Sequence, residues 1–213
     1  MNRRDFCCQV AASGAALTAA STAFAQAKPV EGVQYTRLSK PVAVAGGGKI
    51  DVVEFFSYSC PHCNAFEPII EPWAHALPSD VSFRRVPVPF LDNHDNFQKL
   101  YFSLEAMGAV DAVHGKVFNA VHVDRQRLDK LSDITALVAK NGVDGTKFQS
   151  VFNSFGVQAK ARQATQLTQE YGVDGVPAMG VQGRFFTSGQ GGSGGPAMLP
   201  VVDFLIQRVR TNA

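Results

Sequence analysis

The chain has 213 residues, of which 46% are hydrophobic, 10% aromatic and 18% charged, a composition typical of globular proteins. Its 20 Lys and Arg residues and 18 Asp and Glu residues give a formal net charge of +2, so no charge excess favours nucleic acid as a partner. Four cysteines are too few for a small scaffold held together by disulfides. We therefore expect a globular protein with a hydrophobic core of its own.

The first 27 residues have the features of a secretory signal peptide. Arg3 and Arg4 make the start of the chain positive, small and mildly apolar residues follow as far as Phe24, and overlapping Ala-x-Ala sites end at Ala27. Polar residues interrupt this stretch, which lacks the roughly 18 apolar residues of a membrane span. We predict cleavage near Ala27 and export, and the arginine pair leaves the general secretory and twin-arginine routes both open.

Residues 28–91 predict a strand, a helix and a second strand. The β-branched and aromatic run Val52–Phe56, which contains Glu54, indicates a buried central strand, and Pro61 suits the first turn of the helix that follows. A second strand is predicted over 81–88, parallel to the first because a helix connects them. The predicted apolar face of that helix carries Phe66, Ile69, Ile70 and Trp73.

From 92 to 165 the apolar residues repeat at helical spacing, and this predicts an inserted all-helical subdomain of several short helices. An Asp144-Gly145 turn separates two of these helices. The first is indicated by Leu131, Ile134, Leu137 and Val138, and the second by Phe148, Val151, Phe152 and Phe155.

Residues 166–213 predict the second half of the sheet domain. Two short strands flank Gln182-Gly183, which is the spacing of a tight hairpin, and a helix over 199–209 closes the chain. The order of elements therefore predicts an α/β fold, with a central mixed sheet flanked by helices and interrupted by the helical insertion.

The chemistry of the mature chain is expected at Cys60-Pro61-His62-Cys63, where the predicted strand ends and the helix begins. Two cysteines one helical turn apart can close a small disulfide ring. Free backbone N–H groups and the positive end of the helix dipole lie at the first cysteine, so they stabilise its thiolate and lower its pKa. A protonated His62 adds positive charge. A stabilised thiolate makes the disulfide form more oxidising.

The same cysteine spacing also occurs in zinc sites, in structural disulfides and in pairs of free thiols. The mature chain has no second cysteine pair to complete a zinc site, and its remaining histidines do not have zinc-binding spacing. An inert structural disulfide would close too short a loop to constrain the unfolded chain. Two permanently free thiols do not fit an exported protein. We therefore favour a thiol–disulfide redox centre that needs no metal or organic cofactor.

The segment from Val53 to Cys63, with Phe66-Glu67 after it, closely resembles the DsbA family of thiol:disulfide oxidoreductases. The downstream sequence Gly175-Val176-Pro177-Ala178 is similar to that family's cis-proline loop. The resemblance extends over essentially the whole mature chain and is weakest in the helical insertion. It implies a thioredoxin-like fold.

The resemblance also implies a role for each matching residue of the cysteine motif. Cys60 would be the exposed nucleophile that forms a mixed disulfide with a substrate, and Cys63 would be its buried partner. Pro61 and His62 would tune the redox potential.

Two further sites follow from the same resemblance. The Val176–Pro177 peptide bond would be cis and lie opposite Cys60, leaving the Val176 backbone free to pair with an extended substrate. Glu54 would be a buried acid that moves protons to or from Cys63, unless it is only a carboxylate satisfied by its neighbours.

The sequence departs from the family pattern at two places. Arg85 stands where a lysine would be expected near the buried acid, and because arginine stays charged it would pair with Glu54 rather than pass protons. The segment 189–195 is unusually rich in glycine. We interpret it as a flexible loop, because its G-x-G-x-x-G pattern does not open a βαβ unit.

We expect a periplasmic thiol:disulfide oxidoreductase that donates its Cys60–Cys63 disulfide to the thiols of newly exported, unfolded proteins. The resemblance implies reoxidation by a DsbB-type, quinone-linked membrane partner, and we expect a monomer. Two alternatives stay open: a disulfide reductase or isomerase of the same fold, and a peptide-binding module with a vestigial disulfide. Residues 28–48 are too few for the dimerisation domain of a periplasmic isomerase.

Overall fold

The computed structural model describes residues 28–189 and 195–211. The predicted signal peptide and most of the glycine-rich loop lie outside these residues. The strands of the described part are β1 (Thr36–Arg37), β2 (Ile50–Phe56), β3 (Val81–Pro87), β4 (Ala178–Val181) and β5 (Phe185–Ser188). Its α-helices are α1 (Pro61–His75), α2 (His94–Ala106), α3 (Val110–His122), α4 (Leu131–Lys140), α5 (Gly145–Phe152), α6 (Phe155–Glu170) and α7 (Met198–Arg210). None of the described helices is both long and apolar enough to cross a membrane.

The strands form one mixed sheet in the order β1-β5-β4-β2-β3. Strands β2 and β3 are parallel, which confirms the predicted strand–helix–strand unit, and the other neighbouring strands are antiparallel. The predicted hairpin is β4–β5. Strand β1 was not predicted, because it is a two-residue edge strand whose side chains are both exposed and therefore shows no apolar alternation.

The central strand β2 is buried on both faces and separates two hydrophobic cores. Successive side chains of a strand point to opposite faces. Val52 therefore packs toward α1 and α7, whereas Val53 and Phe55 pack toward the helices α2 to α6. Glu54 shares the face of Val52, so the strand delivers its one glutamate to the side of the sheet on which α1 lies.

Helices α2 to α6 occupy the chain between β3 and β4, while the boundaries 92 and 165 of an insertion stay a prediction. The predicted helix that runs through Phe152 to Phe155 is wrong at its end. Helix α5 ends at Phe152 and α6 begins at Phe155, which is 78% exposed. The Ser154 hydroxyl accepts a hydrogen bond from the N–H of Val157 at 3.3 Å and so starts a new helix.

The hairpin turn after β4 is packed tightly against an earlier segment of the chain. Gln182 and Gly183 both have positive φ, 53° and 60°, as a two-residue turn between twisted strands requires. The Gly183 N–H donates to the Tyr171 hydroxyl at 3.1 Å, and the Gly183 carbonyl accepts the N–H of Val42 at 2.8 Å. A Cβ atom at Gly183 would lie 2.0 Å from the Val42 carbonyl oxygen.

We predict that Gly183→Ala lowers the free energy of unfolding by about 3 kcal/mol, because left-handed strain and overpacking against Val42 add together. Gly142→Ala is the matched control, since Gly142 also has a positive φ of 86° but has open space where a Cβ would lie. We expect the control to cost about 1 kcal/mol. Urea unfolding measures both variants, and equal losses would contradict the packing argument.

Candidate active site

Cys60 lies between β2 and α1 and is the N-cap residue of the helix. Its backbone is extended (φ −85°, ψ 116°), and its Sγ atom accepts a hydrogen bond from the backbone N–H of Cys63 at 3.4 Å. A serine or aspartate oxygen usually fills this position. Pro61 begins the helix, where its missing N–H leaves no hydrogen bond unmade.

The two cysteines are not joined by a disulfide bond in the structure, and both are buried. The expectation that Cys60 is exposed is wrong, because only 5% of the residue is accessible. The Cys60 Sγ atom lies 3.4 Å from the carbonyl oxygen of Val176, on the loop that faces it. Pro61 and His62 are exposed beside it, while Cys63 faces the interior.

The two thiols have opposite pKa shifts. The hydrogen bond from the Cys63 thiol lowers the pKa of Cys60 to about 6, with burial opposing it and the backbone N–H groups of Cys63 and His62 assisting. Burial, followed by the interaction with Cys60, raises the pKa of Cys63 far above its ordinary value. At neutral pH the pair therefore holds one thiolate, at Cys60, and one thiol, at Cys63.

The loop before β4 faces the cysteines and borders an apolar groove. The Val176–Pro177 peptide bond is cis, as the resemblance implied. Ile69, which the sequence places on the apolar face of α1, is 37% exposed and faces this groove. The groove has a volume of about 670 Å³, and its lining includes His62, Phe66, Ile69, Val176, Pro177 and Pro196.

Glu54 is the buried acid on the α1 side of the sheet, with 2% of the residue exposed. Its Oε2 atom accepts a hydrogen bond from Nε of Arg85 at 3.0 Å. Burial raises the pKa of Glu54 to about 8, although the Arg85 charge opposes this shift. Glu54 is therefore mostly protonated at neutral pH, and its charge, when present, raises the pKa of Cys63.

Arg85 joins Glu54 to two carboxylates of α1. Its Nη2 atom donates to Glu67 at 3.1 Å and to Glu71 at 2.5 Å. Burial opposes the shift, but the hydrogen bond and charge of Arg85, assisted by the hydrogen bond with His75, lower the pKa of Glu71. The pairing of Arg85 with Glu54 that the sequence suggested is present, but it is one part of a cluster of three acids around one guanidinium group.

A buried chain of hydrogen bonds continues from this cluster to the loop before Cys60. Glu67 Oε2 lies 3.2 Å from Nε2 of His114 on α3, and Nδ1 of His114 lies 2.7 Å from the hydroxyl of Tyr58. A second histidine of α3, His122, bonds to the Tyr58 carbonyl oxygen at 2.9 Å. Helix α3 thus holds the active-site loop at two points.

Sequence reasoning did not assign a role to Tyr58, Glu67 or His114. Glu67 follows Cys63 by four residues and so lies on the same face of α1, a signal that was available. His114 is 56 residues from Tyr58, and helical spacing alone does not show which polar side chain of α3 meets the loop. Within 28–189 and 195–211, no group of three or more His, Cys, Asp or Glu side chains could hold a metal ion.

Comparisons with known proteins agree with this arrangement. Residues 70–193, more than half of the chain, match the family described as the DSBA-like thioredoxin domain. The thiol:disulfide interchange protein DsbA of Bordetella parapertussis is 42% identical over 198 residues, which cover 92% of this chain and 94% of that protein. The protein of the same name from Pseudomonas aeruginosa is 41% identical over 183 residues, 85% of this chain and 86% of its own length.

Solved structures show the same fold. The crystal structure of Pseudomonas aeruginosa DsbA superimposes with a TM-score of 0.83 at 38% identity, covering 86% of this chain and 96% of that chain. The oxidoreductase DsbA of Xylella fastidiosa gives a TM-score of 0.81 at 27% identity, covering 87% of this chain and 100% of that chain. The predicted thioredoxin-like fold is thereby confirmed. The chain belongs to the DsbA family and is a thiol:disulfide oxidoreductase.

Proposed function

We propose that this chain is a periplasmic dithiol oxidase whose Cys60–Cys63 disulfide accepts electrons from the thiols of newly exported proteins. The observation that carries this direction of electron flow is the pKa of Cys60, which is lowered to about 6. A thiolate that is stable at neutral pH favours the reduced form of the pair. The disulfide form is then a strong acceptor of electrons.

The proposed reaction has two exchange steps. A substrate thiolate attacks Sγ of Cys60 in the disulfide, the bond between the two cysteines breaks, and Cys63 leaves as a thiolate and takes up a proton. A second substrate thiolate then attacks the substrate sulfur bound to Cys60, and Cys60 leaves as the stabilised thiolate. The substrate loses one electron pair and gains a disulfide, and the protein is left as the dithiol.

Glu54 is suited to supply the proton in the first step. Its pKa of about 8 keeps it mostly protonated at neutral pH, and the raised pKa of Cys63 makes the departing thiolate a strong base. In the reverse step, an ionised Glu54 would take the proton from Cys63. Pro61 and His62 adjust the stability of the Cys60 thiolate through the first backbone N–H groups of α1 and the His62 charge.

The groove beside Cys60 is suited to an extended apolar segment of an unfolded chain. Its exposed Ile69 and the neighbouring Phe66 and Pro196 offer apolar contacts without a shape that selects one sequence. We propose that the Val176 backbone pairs with such a segment. Its carbonyl oxygen already lies 3.4 Å from the Cys60 sulfur, so a paired segment would pass next to the nucleophile.

The proposed setting is the periplasm, reached after removal of residues 1–27, where oxidised thiols persist. Each turnover leaves Cys60 and Cys63 reduced, so a partner must remove the electrons. We propose a DsbB-type membrane protein linked to quinone for that step. The two cysteines, Glu54 and Pro177 all belong to one chain, so the site needs no second subunit and the protein acts as a monomer.

The direction of exchange is tested by equilibrating residues 28–213 in graded glutathione buffers and trapping thiols by alkylation. A potential above about −200 mV, more oxidising than glutaredoxins, supports the oxidase. A value near the roughly −270 mV of thioredoxin would overturn it in favour of a reductase.

We predict that Cys60→Ser abolishes oxidation of a reduced, unfolded substrate, because the attacked sulfur is gone. Cys63→Ser should still react with substrate disulfides at Cys60 but accumulate the mixed disulfide, since the resolving thiol is missing. Non-reducing mass measurement after acid quenching distinguishes the two variants, and melting temperatures show that both are folded. If the parent protein also fails to oxidise the substrate, while parent and Cys60→Ser bind it equally well, the chain is instead a peptide-binding module.

We predict that alkylation of the reduced protein by iodoacetamide rises with pH through a midpoint of about 6. Cys63→Ala removes the thiol that donates to Cys60, so its midpoint should be higher. A midpoint of the parent near the ordinary thiol value of 9.0 would contradict the proposed site.

The same shift makes a prediction about stability. The pKa of Cys60 is lower in the folded than in the unfolded reduced protein, so the thiolate stabilises the fold fully above about pH 9, and this contribution is lost as the pH falls through about 6. The parent should therefore gain free energy of unfolding relative to Cys60→Ser between these two pH values. Urea unfolding under reducing conditions measures the difference, and a constant difference would contradict the linkage.

A further inference from the structure

His114 lies at a junction that the family's cysteine and proline motifs do not include. It is buried on α3, and each of its ring nitrogens has one partner: Tyr58 at 2.7 Å and Glu67 at 3.2 Å. Tyr58 belongs to the loop that places Cys60. Glu67 belongs to the Arg85 cluster that contains Glu54.

The surroundings of His114 fix the direction of both hydrogen bonds. Burial lowers the pKa of His114, so the ring is neutral at physiological pH and has one donor and one acceptor nitrogen. Burial also raises the pKa of Tyr58, which keeps its hydroxyl protonated. A carboxylate at Glu67 can only accept. Tyr58 therefore donates to Nδ1, and the N–H at Nε2 donates to Glu67.

We propose that His114 is a positioning residue for the exchange reaction: it fixes the loop before Cys60 through Tyr58, and it orients Glu67 against Arg85 and thereby sets the environment of Glu54. This inference rests on the proposed function, in which the substrate is exchanged at Cys60 and Glu54 exchanges a proton with Cys63. Helix α3 would then act on Cys60 through Tyr58, and on Glu54, which exchanges a proton with Cys63, through Glu67.

The Tyr58 half of the proposal concerns the position of Cys60. Tyr58 is two residues before Cys60, and its ring is enclosed by the aromatic rings of Phe56, Phe97 and Phe118. The hydrogen bond between its hydroxyl and His114 fixes the orientation of the side chain and thus of the loop. The hydrogen bond from His122 to its carbonyl oxygen holds the backbone. Removing the hydroxyl alone leaves the packing and the His122 bond in place.

The Glu67 half concerns the charge near Glu54. Without the hydrogen bond from His114, the Glu67 carboxylate is no longer held in place beside Arg85, and its charge raises the pKa of Glu54 less. Arg85 then acts on Glu54 with less opposition, and the pKa of Glu54 falls. The titratable and charged groups that face Glu54 or His114 from the packed elements are Tyr58, Cys63, Glu67, Glu71, Arg85 and Tyr101.

One experiment measures both halves. The reduced protein is mixed with excess oxidised glutathione, quenched with acid and analysed by mass. The first rate constant, for formation of the mixed disulfide at Cys60, reports the position of the nucleophile. The second, for release of glutathione by Cys63, is measured from pH 6 to about 9.5 and has a midpoint that reports Glu54.

We expect Tyr58→Phe to slow the first step about threefold or more, the effect of one lost hydrogen bond, and to leave the midpoint of the second step unchanged. His114→Leu should slow the first step similarly and lower the midpoint by about one pH unit. His114→Gln keeps an N–H for Glu67, so its midpoint should stay near that of the parent. Tyr171→Phe is the control, because it removes another buried hydroxyl, bonded to Gly183 outside this network.

Several results would overturn the inference. A folded His114→Leu with the midpoint and first step of the parent would do so, as would equal changes in His114→Leu and Tyr171→Phe. If His114→Leu does not fold, Tyr58→Phe decides, and an unchanged first step in that variant overturns the inference. A parent protein that forms no mixed disulfide at Cys60 overturns the proposed function itself, and the inference with it.

Discussion

A carboxyl group in the centre of the sheet is the constraint on which the active-site architecture depends. Glu54 lies in β2, which is buried on both faces, and an isolated charge there would be strongly destabilising. Arg85 on the neighbouring parallel strand lies directly opposite Glu54 in the sheet register and donates a hydrogen bond to it. The guanidinium group is itself buried, so it needs further acceptors, and Glu67 and Glu71 of α1 supply them. One buried acid is therefore linked to Arg85 on the strand beside it and, through Arg85, to Glu67 and Glu71 on the helix above it.

The two sulfur atoms differ because the same turn of helix places them in different surroundings. Cys60 is outside the first turn, where its sulfur receives the N–H groups that every helix leaves unpaired. Cys63 is one turn inside and faces the core, where burial outweighs a hydrogen bond from the Ser57 backbone and favours the neutral thiol. The cis-proline loop then covers Cys60 from the other side, with the Val176 carbonyl against the sulfur. In the reduced pair, Cys60 is therefore both ionised at neutral pH and covered by the loop.

The features that could be predicted from the sequence are those that depend on residues close together in the chain. The strand Val52–Phe56, the helix after Pro61 and the Gln182-Gly183 turn each depend on a few adjacent residues, and the structure confirms all three. The break between α5 and α6 was missed because Phe155 continues the spacing of α5 although Ser154 starts a new helix. Ile69 has helical spacing with Phe66 yet faces the groove. The apolar face of α1 is wider than the part of it that the sheet covers. The bond between Tyr58 and His114 joins residues 56 positions apart, and such a pairing is set by tertiary packing that no local pattern encodes.

Arginine at position 85 limits how protons can move through the cluster. Its guanidinium group does not lose a proton in the physiological range, so it cannot relay one from Glu54 to Glu67. Its planar fork divides the contacts between two nitrogen atoms, since Nε binds Glu54 while Nη2 binds the two acids of α1. The cluster therefore holds charge in fixed places, and in the proposed reaction Glu54 is the group that exchanges a proton with Cys63. In that reaction the cluster acts through the pKa of Glu54, which the charges of Glu67 and Glu71 raise and the charge of Arg85 lowers. A residue that fixes Glu67, as we propose for His114, therefore acts on Cys60 and Cys63 through the pKa of Glu54.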